Sequence, residues 1–341
     1  MGKRAPHHFT EWVVPLASSI CLITGGLWLA NQLAGVGERP TANLRDLPIP
    51  IASNTKVAAA QTANGAIALP QKFSSARPIP IGHRKIAGEQ IYLSLIDLTD
   101  PEIFLGVGLA HNAKQANSSK VTKGDEQFIK MVRRHRAAVT VSGTFFSMDK
   151  QKRVMGNMVS GGRFLKYSPW ENYGTTLGLR IGNRPEMVTA RTEGKPKWQQ
   201  HWFSITAGPR LLRRGKVNLA PRSEGFTDRR MMEGKALRVA IGYPKHGQQL
   251  MLVTFLTPVT LRKEAEIMGY LGNYEAMNLD GGTSVGLAKG NKILKSANRE
   301  LTNVITIYDT KHPAPKYLRD SWRTFQRGDN VVAQRQKARK P

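Results

Sequence analysis

A single cysteine, Cys21, serves the whole chain of 341 residues. That excludes an intramolecular disulfide and any cysteine-based zinc site, and it leaves the redox compartment open. Acidic residues are also scarce: 24 Asp and Glu stand against 51 Lys and Arg, for a formal net charge of +27. Such an excess constrains partners and solubility rather than fold. It points to an anionic neighbour, whether nucleic acid, lipid headgroups, or acidic and phosphorylated glycans. His83, His111, His135, His201 and His246 are scattered without ligand spacing such as H-x-x-x-H, so no metal site is expected. A glycine-rich nucleotide loop is missing, as are aromatic strand motifs that stack bases, which makes nucleic acid the least favoured partner. No internal repeat is present, and nothing in the chain calls for a cofactor.

What is present begins at the N-terminus. Lys3, Arg4, His7 and His8 precede Trp12 to Gly37, a stretch without any charged residue. It is longer than the roughly 20 residues needed to cross a hydrocarbon core. It runs on through Trp28 and Leu29 without a small-residue cleavage site, so residues 1–37 are expected to form an uncleaved signal anchor, one transmembrane helix. The basic end should stay cytoplasmic and the bulk of the chain should face outward. Residues 38–83, rich in Ala, Pro, Asn, Thr and Ser, are expected to be a flexible linker.

Regular patterning starts near Arg84. "EQIYLSLIDL", "EIFLGVGLA", "AAVTVS", "GTTLGLRI", "FSITAG", "ALRVAIGY" and "QQLMLVTFL" read as strands. "GDEQFIKMVRRHR" places Phe128, Met131 and Val132 at helical spacing, with acids early and bases late, as a helix dipole prefers. Thr260 can cap "LRKEAEIMGYL", whose Leu261, Ala265, Met268 and Leu271 share one face, and Gly272 supplies a stop. Many strands and few helices predict an α+β domain over residues 84–310, a mixed β-sheet core with a few packed helices. Residues 311–341 hold nine Lys and Arg against two Asp, and are expected to be a flexible basic tail.

Four stretches combine glycines with polar side chains at strand ends: "VSGTFFS", "GNMVSGGR", "SITAGPRLLRRGK" and "NLDGGTS". Glycine there serves tight turns and lets backbone approach backbone or ligand. An isolated Asp-Gly-Gly is usually a hairpin turn. "NLDGGTS" accordingly reads as one, with the strand from Glu275 to Leu279 delivering Asp280, and Thr283 and Ser284 facing back from the next strand.

In order and content these stretches, together with "RVAIG" after Leu237, resemble the phosphodiester glycosidase family over Ile91 to Asp309. That family's pattern runs N-G-G-F-F, G-N-x-V-S-x-G-R, G-P-x-L, R-x-A-I-G and N-L-D-G-G-G-S. Two motifs depart from it. Ser142 stands for the asparagine and Thr144 for the second glycine of the first motif, and Thr283 stands for the third glycine of the last. The resemblance implies a compact α+β domain with a sheet-centred pocket, and hydrolysis of a sugar-1-phosphodiester to a free sugar and a phosphomonoester. It implies Asp280 and Arg238 as catalytic residues, with Ser142, Asn157, Arg163, Gly208, Gly281, Gly282, Thr283 and Ser284 around the substrate.

Glycoside cleavage ordinarily uses two carboxyl groups, and these motifs hold one, Asp280. A phosphate is already a good leaving group, so a phosphate-binding arginine can take over much of the general acid's work. Arg238 is the first candidate for that arginine and Arg163 the second. Each residue also has a bland reading: Arg238 as a surface strand residue, Asn157 as a turn cap, Phe145 and Phe146 as core. The expected partners are a phosphorylated glycan or polysaccharide and an anionic membrane or envelope surface. The alternative is a non-catalytic glycan-binding or exopolysaccharide-assembly protein that keeps the same fold.

Overall fold

The computed structural model describes residues 76–117 and 124–328. The expected anchor, nearly all of the expected linker, and the chain beyond Gly328 lie outside them. Among the described residues no helix is long and apolar enough to cross a membrane.

The chain opens with strands Ile81–Ile86 (β1), Glu89–Asp97 (β2) and Phe104–Leu109 (β3), then helix Phe128–His135 (α1). Val139–Ser142 (β4), Met158–Ser160 (β5), Arg163–Lys166 (β6), Thr175–Arg180 (β7) and Arg184–Thr189 (β8) follow, closed by the single turn Ala190–Glu193 (α2). Next come Phe203–Ala207 (β9), Arg210–Arg213 (β10), Lys216–Val217 (β11) and the short helix Arg229–Glu233 (α3). Val239–Tyr243 (β12), Gln249–Phe255 (β13), Leu261–Tyr270 (α4), Glu275–Asn278 (β14), Leu287–Lys289 (β15), Lys292–Lys295 (β16), Asn303–Tyr308 (β17) and Lys316–Gln326 (α5) complete it.

These strands form three antiparallel sheets. The first runs β1-β2-β13-β12-β14-β10-β11, the second β16-β15-β4-β17-β3, and the third β6-β5-β9-β7-β8. Strand alternation decides how they pack. Val239 and Ile241 of β12 and Met277 of β14 enter a core shared with Val139, Val141, Ile305 and Ile307 of the second sheet and Leu177, Leu179, Phe203 and Ile205 of the third. Their neighbours Ala240 and Ala276 face the other way, against Leu261, Ala265 and Met268 of α4. On the outer face of the second sheet, Phe128, Met131 and Val132 of α1 cover Ala288 and Val304. With both faces covered, β4, β12, β14 and β17 are buried along their whole length, polar positions such as Thr140, Glu275 and Asn278 included.

The mixed α+β expectation agrees with this architecture, and Thr260 does cap α4, its hydroxyl accepting from Lys263 N at 3.2 Å. Three local expectations are corrected. The acids before α1 lie outside the helix: Glu126 accepts two hydrogen bonds from Arg134, so the pairing is tertiary rather than a dipole effect. The fold starts before Arg84, because Ile79 is buried and its N–H reaches Asp309 at 2.9 Å, while β1 pairs with β2 from Ile81. The expected tail from Lys311 contains α5. Leu318, Trp322 and Phe325 recur at helical spacing, Leu318 and Phe325 are buried, and Trp322 meets Trp202 edge-on at 5.0 Å. Burying two such side chains contributes about 3 to 6 kcal/mol, enough to order a segment that charge counting alone assigns to solvent.

Candidate active site

"NLDGGTS" is not a hairpin. β14 belongs to the first sheet and β15 to the second, so the chain crosses between sheets at this point. Asp280 marks the crossing. Its N–H donates to Gly143 O at 3.0 Å, and its carbonyl accepts from Ser142 Oγ at 3.3 Å, which ties the end of β14 to the end of β4. The motif glycine in "SGTFF" is needed beside β17, since a Cβ on Gly143 would sit 2.0 Å from Asn303 Oδ1. Gly282 then turns at a φ of +61° and starts a single helical turn, Gly282–Ser284, that brings the Ser284 hydroxyl back to Asp280.

The Asp280 carboxylate lies on the wall of a cleft of about 440 Å³. Arg299 Nη2 donates to its Oδ2 at 3.1 Å, while Arg299 Nε donates to Ser284 Oγ. The guanidinium lies over the ring of Phe146, 4.4 Å from its centroid, and its Nη1 touches Met148 Sδ at 3.1 Å. Burial pushes the Asp280 carboxyl up to about 6; Arg299, the Ser284 hydroxyl and the Gly281 N–H oppose that rise. Across the cleft stand Phe145, Tyr173 and Phe226, with Phe226 4.6 Å from Tyr173 and 5.9 Å from Phe145. Burial and the nearby Asp280 charge raise the Tyr173 hydroxyl well above its ordinary range, so it stays protonated. Arg230 and Lys235 add positive charge to the rim. Asn278 also lines the cleft; its Nδ2 donates to Gly208 O at 2.8 Å, and its buried Oδ1 has no protein partner. Among the described residues no three His, Cys, Asp or Glu side chains gather as metal ligands.

The other residues singled out in the sequence divide by location. Gly281, Gly282 and Ser284 join Asp280 at the crossing, and Gly208 backs it through Asn278. Thr283 is exposed and contributes only its carbonyl, which accepts from Asn298 N and docks the segment carrying Arg299. Thr144 is buried, with its hydroxyl donating to Thr206 O, so the bulk added to the first motif packs between sheets.

Asn157 and Arg163 lie outside the cleft, whereas Arg238 lines it with much of its guanidinium already bonded. Strand alternation puts Arg238 on the α4 side of β12, where it is 2 % exposed. It donates to Met231 O, Gly234 O and Val259 O, with Glu264 Oε2 4.0 Å away. It therefore braces the α3 side of the cleft, which it also lines, with its Nε and Nη2 donating to backbone carbonyls. Asn157 spends its carboxamide on Ser168, accepting from the N–H at 2.7 Å and donating to the carbonyl at 3.0 Å. Arg163 is exposed at the start of β6, on the side of the third sheet where Gly161 meets Leu318 and Ser321 of α5. The residue that sequence reasoning missed is Arg299. Its context, "SANRE", carries no glycine or strand signal, and only the crossing brings it to Asp280.

Comparison with known proteins bears on the fold and the family. A crystal structure of a hypothetical protein from Synechocystis superposes with a TM-score of 0.50 at 17 % identity, covering 67 % of this chain and 61 % of that one. The chain thus spans less than two thirds of that protein's length. The catalytic domain of zebrafish N-acetylglucosamine-1-phosphodiester alpha-N-acetylglucosaminidase, auto-inhibited by its pro-peptide, superposes with a TM-score of 0.50 at 15 % identity, covering 67 % of this chain and 82 % of that one. At these identities the superpositions speak for the fold alone. No curated protein sequence matches the chain. The sequence model of the phosphodiester glycosidase family matches residues 135–308, from the last residue of α1 to the last residue of β17 and just over half of the chain, and on that match the chain belongs to the phosphodiester glycosidase family.

Proposed function

We propose that the chain hydrolyses a sugar-1-phosphodiester carried by a phosphorylated glycan or cell-envelope polysaccharide, giving a free sugar and a phosphomonoester. One observation carries the reading: a half-buried arginine paired with a buried carboxylate on the wall of an aromatic cleft. Arg299 is the phosphate ligand. Its Nη1 makes only a soft contact with Met148 Sδ, which a phosphate oxygen can replace without disturbing the Asp280 pair. Asp280, with its carboxyl near 6, is partly ionised around neutrality and suits proton transfer to or from water at the anomeric carbon. The free Asn278 Oδ1 accepts from a sugar hydroxyl, and Phe145, Tyr173 and Phe226 supply the apolar wall that faces the ring. Arg230, Lys235 and the overall charge of +27 favour an anionic substrate.

A panel of chromogenic sugar-1-phosphodiesters tests this. Turnover by the wild type, abolished in folded Asp280→Asn and Arg299→Gln, is the expected result. Full activity in Asp280→Asn removes that residue from the chemistry, and saturable glycan binding without turnover supports a binding module instead. The uncharged Trp12–Gly37 segment behind Lys3 and Arg4 supports an anchored, outward-facing placement. Protease accessibility of the domain in intact cells checks it, and a protected domain refutes it.

A further inference from the structure

The seven most exposed large apolar side chains among the described residues are not evenly spread. Met148 and Met155 line the cleft mouth, and Tyr167 and Trp170 belong to the loop that ends in the cleft residue Tyr173. Trp170 is 84 % exposed, the most of any of them. Its loop is nevertheless firmly held. The Asn157 carboxamide clamps both backbone groups of Ser168, and Glu171 N donates back to Ser168 O at 3.2 Å. Lys166 pairs with Glu171 at 2.6 Å, and Arg191 donates to Asn172 O at 3.0 Å. Lys195 donates to Pro169 O at 2.8 Å, which leaves its ammonium 5.9 Å from the Trp170 ring centroid.

We infer that Trp170 and Lys195 form a glycan subsite outside the catalytic cleft, taking a neighbouring sugar unit of the same anionic chain. Two residues lie between Trp170 and the cleft residue Tyr173, so their Cα atoms are at most about 11 Å apart and the platform stands close beside the cleft. A sugar ring stacks its C–H face on the indole, while Lys195 meets a phosphate or carboxylate on that chain. Because the loop is already ordered, binding costs little conformational entropy. The buried Asn157 thereby becomes a positioning residue for the platform. Single-stranded nucleic acid also stacks on aromatic side chains, but it uses successive rings. Here Tyr167 is packed against Phe164 and Trp198, 4.4 and 6.3 Å between ring centroids, and the exposed companions at the cleft mouth are methionines.

The subsite rests on the proposed glycan substrate, and the test separates the two. The full chain carrying Asp280→Asn, which binds without turnover, is titrated by calorimetry with phosphomannan, neutral mannan and oligo(dT). Adding Trp170→Ala should weaken phosphomannan binding about three- to tenfold, the size of one lost aromatic contact, and Trp170→Phe should restore most of it. In the otherwise wild-type chain, Trp170→Ala should leave kcat/KM on a small sugar-1-phosphodiester unchanged. Equal phosphomannan affinity with and without Trp170, an equal loss on the small substrate, or a Trp170-dependent preference for oligo(dT) overturns the inference. Trp170-dependent phosphomannan binding by a wild-type chain that turns over no phosphodiester sustains the subsite and removes only the catalytic reading.

Discussion

Replacing Arg299 by Gln should move the titration of Asp280. In the intact site burial drives the Asp280 carboxyl up and Arg299 pulls it down, with the balance at about 6. At the observed 3.1 Å the bare Coulomb attraction is about 1.3 kcal/mol with the dielectric of water and about 5 kcal/mol at an effective dielectric near 20. Arg299 retains 26 % side-chain exposure against 7 % for Asp280, so solvent screens the pair in part. A charged hydrogen bond of about 1.5 to 3 kcal/mol lies inside that range and corresponds to roughly 1 to 2 pK units. The expected midpoint in Arg299→Gln is therefore about 7 to 8. Carboxyl NMR of Asp280 in wild type and variant reads it without relying on turnover, which the variant is expected to lack. The linkage has a definite sign. A carboxyl raised in the folded state destabilises the fold as pH rises from its unfolded value towards its folded one, so the loss runs from about 4 to about 6 in the wild type and continues to about 8 in the variant. A midpoint that stays near 6 in the variant refutes the idea that Arg299 holds Asp280 down.

Both Glu264 oxygens are buried without a hydrogen-bond partner, and burial pushes its carboxyl up to about 8 despite Arg238. Wild-type stability should therefore fall as pH rises from about 4.5 to about 8, and Glu264→Gln should flatten that fall in urea unfolding at pH 5.5 and 8.5. Equal pH slopes for the two proteins contradict this. Leu318→Ala should cost about 2 to 5 kcal/mol in the same assay, because its side chain packs α5 onto the body of the fold. A cost within about 0.5 kcal/mol returns the segment to the status of a dispensable tail. Asn303 accepts from Thr144 N at 2.8 Å and donates to Thr144 O at 3.0 Å. Asn303→Ala should cost about 2 to 3 kcal/mol in thermal unfolding by leaving those groups buried and unpaired, and an unchanged midpoint excludes the clamp.

Much of this was readable one segment at a time. The period-2 and apolar runs of β2, β12 and β13, and the Thr260 cap of α4, are local properties that sequence spacing expresses directly. The glycine-rich strand ends were readable too, because close backbone approaches such as Gly143 against Asn303 demand a missing Cβ. α5 is hidden by composition: three apolar residues at helical spacing order it within residues 311–341, whose nine cations point to solvent. Arg238 looked catalytic in its motif. The face of β12 on which it falls is set by which sheet covers which side, and that depends on pairings far away in the chain.

"NLDGGTS" shows where the division lies. The sequence by itself determined that a carboxylate would sit at a strand end beside glycines, since the apolar run and the turn residues are adjacent along the chain. Whether that turn closes a hairpin or crosses between sheets is decided by the partner strands of β14 and β15, which lie 32 to 38 residues away at β12 and more than 140 away at β4. The crossing alone brings Ser142, Arg299 and Phe146 to Asp280. Sequence spacing encodes the periodicity of one element, whereas the charge that meets this carboxylate is chosen by the packing of two sheets.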